Sequence, residues 1–83
     1  MKNKDIVILL VDDDEDILEF ISYNLLSEGY QVTTAQNGAE AIKKAKKHLP
    51  HLIVLDVMMP EMDGIEACEK IRTIPELSKT IIT

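Results

Sequence analysis

Leu52-Ile53-Val54-Leu55-Asp56-Val57-Met58-Met59-Pro60-Glu61-Met62-Asp63-Gly64 joins an aliphatic run, a single carboxylate and a turn built on proline and glycine. An unbroken apolar run with β-branched residues predicts a strand buried on both faces, the kind found in parallel sheets covered by helices. Asp56 then stands at the strand's carboxyl end. In open α/β sheets that edge is where loops converge and ligands bind.

Working outward, Ile6-Val7-Ile8-Leu9-Leu10-Val11 repeats the pattern, an apolar strand that stops at the carboxylates Asp12 and Asp13. Ile17, Leu18, Ile21 and Leu25 follow at helical spacing, with Asp14, Glu15 and Asp16 in the first turn, where the helix dipole favours negative charge. Gly29 suits the left-handed cap that ends this helix. Tyr30-Gln31-Val32-Thr33-Thr34 alternates and is β-branched, predicting a less buried strand near a sheet edge. Asn37-Gly38 opens a second helix with Ala41, Ile42, Ala45 and Leu49 inward and Lys43, Lys44, Lys46 and Lys47 in solvent; Pro50 ends it. Ile65, Cys68 and Ile71 mark a third helix with Asp63 as its cap, Thr73 to Ser78 form a connecting loop, and Thr80-Ile81-Ile82-Thr83 begins a fourth strand. The order βαβαβαβ predicts parallel strands joined by right-handed crossovers.

Composition narrows the function classes. Eighty-three residues suit one small domain, which buries about 60–65% of its unfolded surface. With 29% charged and 46% apolar residues the chain reads as globular. A net charge of -6 and a pI near 4.7 argue against nucleic acid or an anionic membrane as a direct partner. The one cysteine, Cys68, reads as a small buried hydrophobe, which points to a reducing cytoplasm. The first apolar run is too short to span a bilayer. His48 and His51 flank Pro50 and read as helix-end polar residues.

If the strands ending at Val11 and Leu55 are neighbours, Asp12, Asp13 and Asp56 share one pocket. Carboxylates packed together repel one another, and a hard divalent cation relieves that repulsion. Mg²⁺ suits such a set: it takes oxygen ligands, keeps several waters and accepts one or two carboxylates together with a phosphate. Asp56 is then placed to attack a phosphoryl group.

Asp12-Asp13 after an apolar strand, followed by Asp56, Met58-Met59-Pro60 and Asp63-Gly64, closely resembles the receiver domain of bacterial two-component response regulators. The resemblance runs through the whole chain. It implies a flavodoxin-like or CheY-like three-layer α/β sandwich with parallel strand order 2-1-3-4-5, of which this chain carries the first four strands. It also implies that Asp56 is the phosphoacceptor, that Asp13 binds Mg²⁺ directly and Asp12 through water, and that the backbone carbonyl of Met58 is a further ligand. Pro60 and Gly64 shape the loop into the third helix. The implied donor is a sensor histidine kinase or phosphotransfer protein, with an unidentified output domain or target. Such a domain is not an enzyme acting on a separate substrate, but it assists its own phosphorylation and dephosphorylation.

The resemblance also implies that the chain stops within the family's fourth strand. The hydroxyl at that strand's end, the aromatic switch residue and the lysine of strand five then have no clear counterpart, and Thr83 is not assigned to the hydroxyl. A chain ending there is expected to bind metal without signalling, and its uncovered sheet edge is expected to self-associate. Rival readings explain less. A haloacid-dehalogenase-type phosphatase leaves Met58 to Gly64 unexplained. An EF-hand loop needs Gly and Glu where Ile17 and Tyr23 stand. A structural role, with or without Mg²⁺ or Ca²⁺ binding but without phosphotransfer, accounts for each acid cluster alone but not for both at this spacing.

Overall fold

A computed structural model describes residues 3–55, 69–77 and 80–82. Its frame is a four-stranded sheet: β1 (Val7–Val11), β2 (Gln31–Ala35), β3 (Leu52–Leu55) and β4 (Ile81–Ile82). Every pairing is parallel, as the alternation of strands and helices predicts, and the order is β2-β1-β3-β4, the one the family resemblance implies. β1 is central. Its register aligns Val11 with Ala35 on one side and with Leu55 on the other, so three strands end level. β2 lies at the sheet's edge and is only partly buried, as its alternating sequence predicts.

Successive side chains along a strand point to opposite faces, and the core divides accordingly. Leu9, Val11 and Ile53 join Ala41 and Ala45 of α2 (Gly38–His48), together with Ile71 and Leu77. Ile8 and Leu10 face the other way, onto Leu18 of α1 (Glu15–Ser27), with Leu52 and Val54 packed against them. β3 thus contributes to both clusters, which is why its sequence is apolar without alternation.

The helix ends follow from local chemistry. Asp14 is the N-cap of α1 and its carboxylate accepts from the N–H groups of Asp16 and Ile17; Asn37 caps α2 by accepting from Glu40. At the far end of α1, Gly29 adopts φ +95°. Its N–H donates to Leu26 and that of Tyr30 to Leu25, the paired bonds of a Schellman cap. Ahead of β1, a 3-10 turn at Asn3–Asp5 is tied down by Asn3 donating to the carbonyl of Glu28 and by Gln31 donating to that of Lys4.

Several expectations need correction. Asp14 is the cap of α1 and not part of its first turn, because its extended backbone lets the carboxylate reach the orphan N–H groups. Ile17 is exposed: it lies at the margin of the apolar stripe, beyond the part of α1 that meets the sheet. Leu49 is also exposed, because α2 ends at His48 and Leu49 takes a left-handed conformation that turns it away from the inward face. The following proline disfavours continuing in the helical region. His51 is not a helix-end residue. Its Nδ1 accepts the N–H of Val7 at 3.0 Å and its own N–H donates to the Val7 carbonyl at 2.8 Å.

Residues 69–72 are helical, and Pro75–Leu77 form a 3-10 turn within the expected loop, with Leu77 buried. Thr80 leads into β4 and is buried. The expectations for Asp56, Met58, Pro60, Asp63, Gly64, Ile65, Cys68 and Thr83 fall outside the described residues.

Candidate functional site

The candidate site lies where β1 and β3 end level. Val11 and Leu55 are register partners on these adjacent parallel strands, and Asp12 follows Val11 at that edge. Asp12 extends the ladder by one step, its N–H donating to the carbonyl of Ala35 at 3.1 Å.

The side chain of Asp12 is held in place. Its Oδ1 accepts the N–H of Asp14 at 2.9 Å, while Asp14 in turn accepts from Asp16 at 2.9 Å and Ile17 at 3.3 Å. Two successive Asx-type bonds therefore carry the chain from β1 into α1. Asp12 is half-buried and Asp13 is exposed. Behind Asp12 lies a mainly apolar cleft of ≈ 220 Å³, walled by Leu10, Leu18, Ile21 and Val54. An anchored carboxylate against an apolar wall interacts more strongly with a cation than one free in water.

Among the described residues, no three His, Cys, Asp or Glu side chains come together as a metal site. Asp12 and Asp13 are the members of the expected set that fall within them, both at the β1 edge; Asp56 and Met58 are not described. The donors present are hard oxygens, which fit Mg²⁺ better than a soft metal. His51 has no place in this site, since it is bonded at the amino end of β1, opposite Asp12. The residue missed as a contributor is Asp14, which orients Asp12. An aspartate directly before a helical apolar pattern is a capping signal and could have revealed it.

A parallel sheet in the order 2-1-3-4, with an acid pair leaving its central strand, defines a flavodoxin-like α/β domain. The chain belongs to the response regulator receiver domain family, whose model matches residues 8–83. It is 55% identical over 65 residues to the alkaline phosphatase synthesis transcriptional regulatory protein PhoP of Bacillus subtilis, an alignment covering 78% of this chain and 27% of PhoP. The chemotaxis protein CheY4 of Vibrio cholerae superposes with a TM-score of 0.89 at 38% identity, covering 93% of this chain and 64% of that one. TrrA of Thermotoga maritima, solved in complex with Mg²⁺-BeF, gives a TM-score of 0.78 at 39% identity, over 92% of this chain and 63% of that one. TrrA solved in complex with the histidine kinase ThkA gives 0.81 at 38% identity, over 99% of this chain and 66% of that one. The chain spans between a quarter and about a third of the length of the curated relatives PhoP and ycf27. No helix among the described residues is long and apolar enough to cross a membrane.

Proposed function

We propose that Asp56 accepts a phosphoryl group at an Mg²⁺ site formed by Asp12, Asp13, Asp56 and the backbone carbonyl of Met58. Residues 1–83 then supply strands one to four and the acid edge of the receiver domain. The observation that supports this reading is the register of Val11 with Leu55, the residues that directly precede Asp12 and Asp56 in the sequence. The anchoring of Asp12 by the Asp14 N–H supports it, because an oriented carboxylate is a prepared ligand.

A carboxylate oxygen of Asp56 attacks phosphorus and the bond to the donor breaks, its electron pair leaving with the donor. An aspartyl phosphate results. Bound Mg²⁺ supplies positive charge that screens the acids and the phosphoryl oxygens. Asp12 keeps its orientation through the Asp14 N–H, and Asp13 remains open to solvent for ligation. The complexes of TrrA with Mg²⁺-BeF and with ThkA support Mg²⁺ as cofactor and a histidine kinase, or a phosphotransfer protein, as donor. Asp56 is itself consumed in the transfer, so the chain is a phosphoacceptor and not an enzyme turning over a separate substrate.

Calorimetric titration tests the metal site. Asp13→Asn and Asp56→Asn are each expected to weaken Mg²⁺ binding about tenfold or more, since each removes a charged oxygen ligand. Unchanged affinity in either variant overturns the shared pocket. Any adduct formed with acetyl phosphate should map by mass spectrometry to Asp56 and be absent from Asp56→Asn; an adduct on another residue contradicts the assignment.

A further inference from the structure

Asn37-Gly38 starts α2, yet the same dipeptide carries chemistry that capping does not use. The side-chain amide of an asparagine stands beside the backbone nitrogen of the next residue, and where that residue is glycine no Cβ obstructs the nitrogen's approach. The other two asparagines, Asn3 and Asn24, precede Lys4 and Leu25. Asn37 is half-buried, and the N–H of Gly38, the first residue of α2, has no partner within the helix. The cap restrains what this pair can do. Ring closure needs rotation about ψ of Asn37 to bring the Gly38 nitrogen to Cγ, together with a side-chain amide free to turn. In the folded chain ψ is extended at 172°, and the Asn37 carbonyl is held by the N–H of Ala41 at 2.9 Å. The side chain is held as well, its Oδ1 accepting the N–H of Glu40 at 2.8 Å. Gly38 is itself buried, and Ala41 on the next turn packs into the core.

We infer that Asn37 is a site of spontaneous deamidation, gated by opening of the first turn of α2. The Gly38 nitrogen loses its proton to solvent base and attacks Cγ of Asn37. The bond from Cγ to the side-chain nitrogen breaks, and that nitrogen leaves with the electron pair and a proton from solvent, as ammonia. The succinimide so formed takes up one water. Opening between Cγ and the ring nitrogen yields aspartate; opening between the backbone carbonyl and that nitrogen yields isoaspartate, with the chain routed through the former side chain. The two products differ in what they do to α2. Aspartate caps as well as asparagine and sets negative charge where the helix dipole favours it. Isoaspartate lengthens the backbone by a carbon at the cap, so neither the carbonyl that holds Ala41 nor the oxygen that holds Glu40 keeps its place. This inference draws on α2 alone and stands independently of the phosphoacceptor reading.

Incubating the 83-residue chain at mildly alkaline pH, with and without urea, and locating converted residues by tandem mass spectrometry tests the site and its gate. A locally opened state is populated at about 0.1–10%, so Asn37 in the folded chain should convert about tenfold or more slowly than in urea. In urea, where folding plays no part, Asn37 should convert ahead of Asn3 and Asn24, and Gly38→Ala should slow it severalfold. Gly29→Ala loosens the fold at the far end of α1 and should leave the folded rate unchanged, since opening of the first turn of α2 suffices. Chains aged to isoaspartate should melt below the parent by circular dichroism, whereas Asn37→Asp should melt no lower. Equal rates with and without urea, or a folded rate that rises about fivefold with Gly29→Ala in step with lost stability, overturn the gate. Conversion in urea that does not favour Asn37, or that is indifferent to Gly38→Ala, overturns the site.

Discussion

Thr80 illustrates how much one side chain can hold. Its hydroxyl donates to the carbonyl of Pro50 at 2.8 Å, its N–H donates to Leu77, and its carbonyl accepts from Arg72 at 2.6 Å. The entry to β4 is thereby tied to the entry to β3. Thr80→Val keeps the shape but leaves the buried Pro50 carbonyl unpaired, at an expected cost of about 1–3 kcal/mol. Urea denaturation should show that loss, with Thr80→Ser much closer to the parent chain. Neither this contact nor that of His51 with Val7 was legible in the sequence. The partners lie 30 and 44 residues apart, and local patterning carries no record of such distances. The place of Asp12 and Asp13 at the end of β1 was legible because an acid pair ending an apolar run needs no distant partner to stand out.

Among the elements, α1 shows which parts of a helix a pattern reveals. Its buried stripe through Leu18, Ile21 and Leu25 and its stop at Gly29 follow directly from residue types and spacing. Ile17 and Leu49 were misplaced for different reasons. The apolar stripe of α1 is wider than its contact with the sheet, and the proline after Leu49 forces a backbone reversal that helical periodicity does not encode. Gly29→Ala tests the cap. The added Cβ would meet its nearest atom, the Cβ of Asn3, at an ordinary 3.6 Å, so the penalty comes from φ +95° and not from crowding. About 1 kcal/mol of destabilisation is expected in a denaturant melt. Gly29→Asn should cost less, since asparagine tolerates the left-handed region better.

At the scale of the whole molecule, cation binding at the proposed site would be linked to folding. A ligand that binds only the folded chain stabilises it by about 1.4 kcal/mol at ten times its dissociation constant. A domain of this size should then melt several degrees higher. Thermal melts with MgCl₂, matched against NaCl at equal ionic strength, should show that rise in the parent chain and lose it in Asp13→Asn. Parallel strands buried on both faces and covered by helices were legible because runs of aliphatics and alternating elements are global signals, whereas the strand order came with the family resemblance. The 3-10 turn at Asn3–Asp5 was not legible, since the backbone carbonyl of Glu28, which accepts from Asn3, and the side chain of Gln31, which donates to the Lys4 carbonyl, define it from outside. β1 is hydrogen-bonded on both sides and buried along four of its five residues. Its amides should therefore exchange with solvent only through the largest openings of the molecule, while edge strand β2 and the helix ends open more readily. The acid pair thus hangs from the part of the chain that lets go last, and local breathing elsewhere leaves Asp12 anchored at its strand.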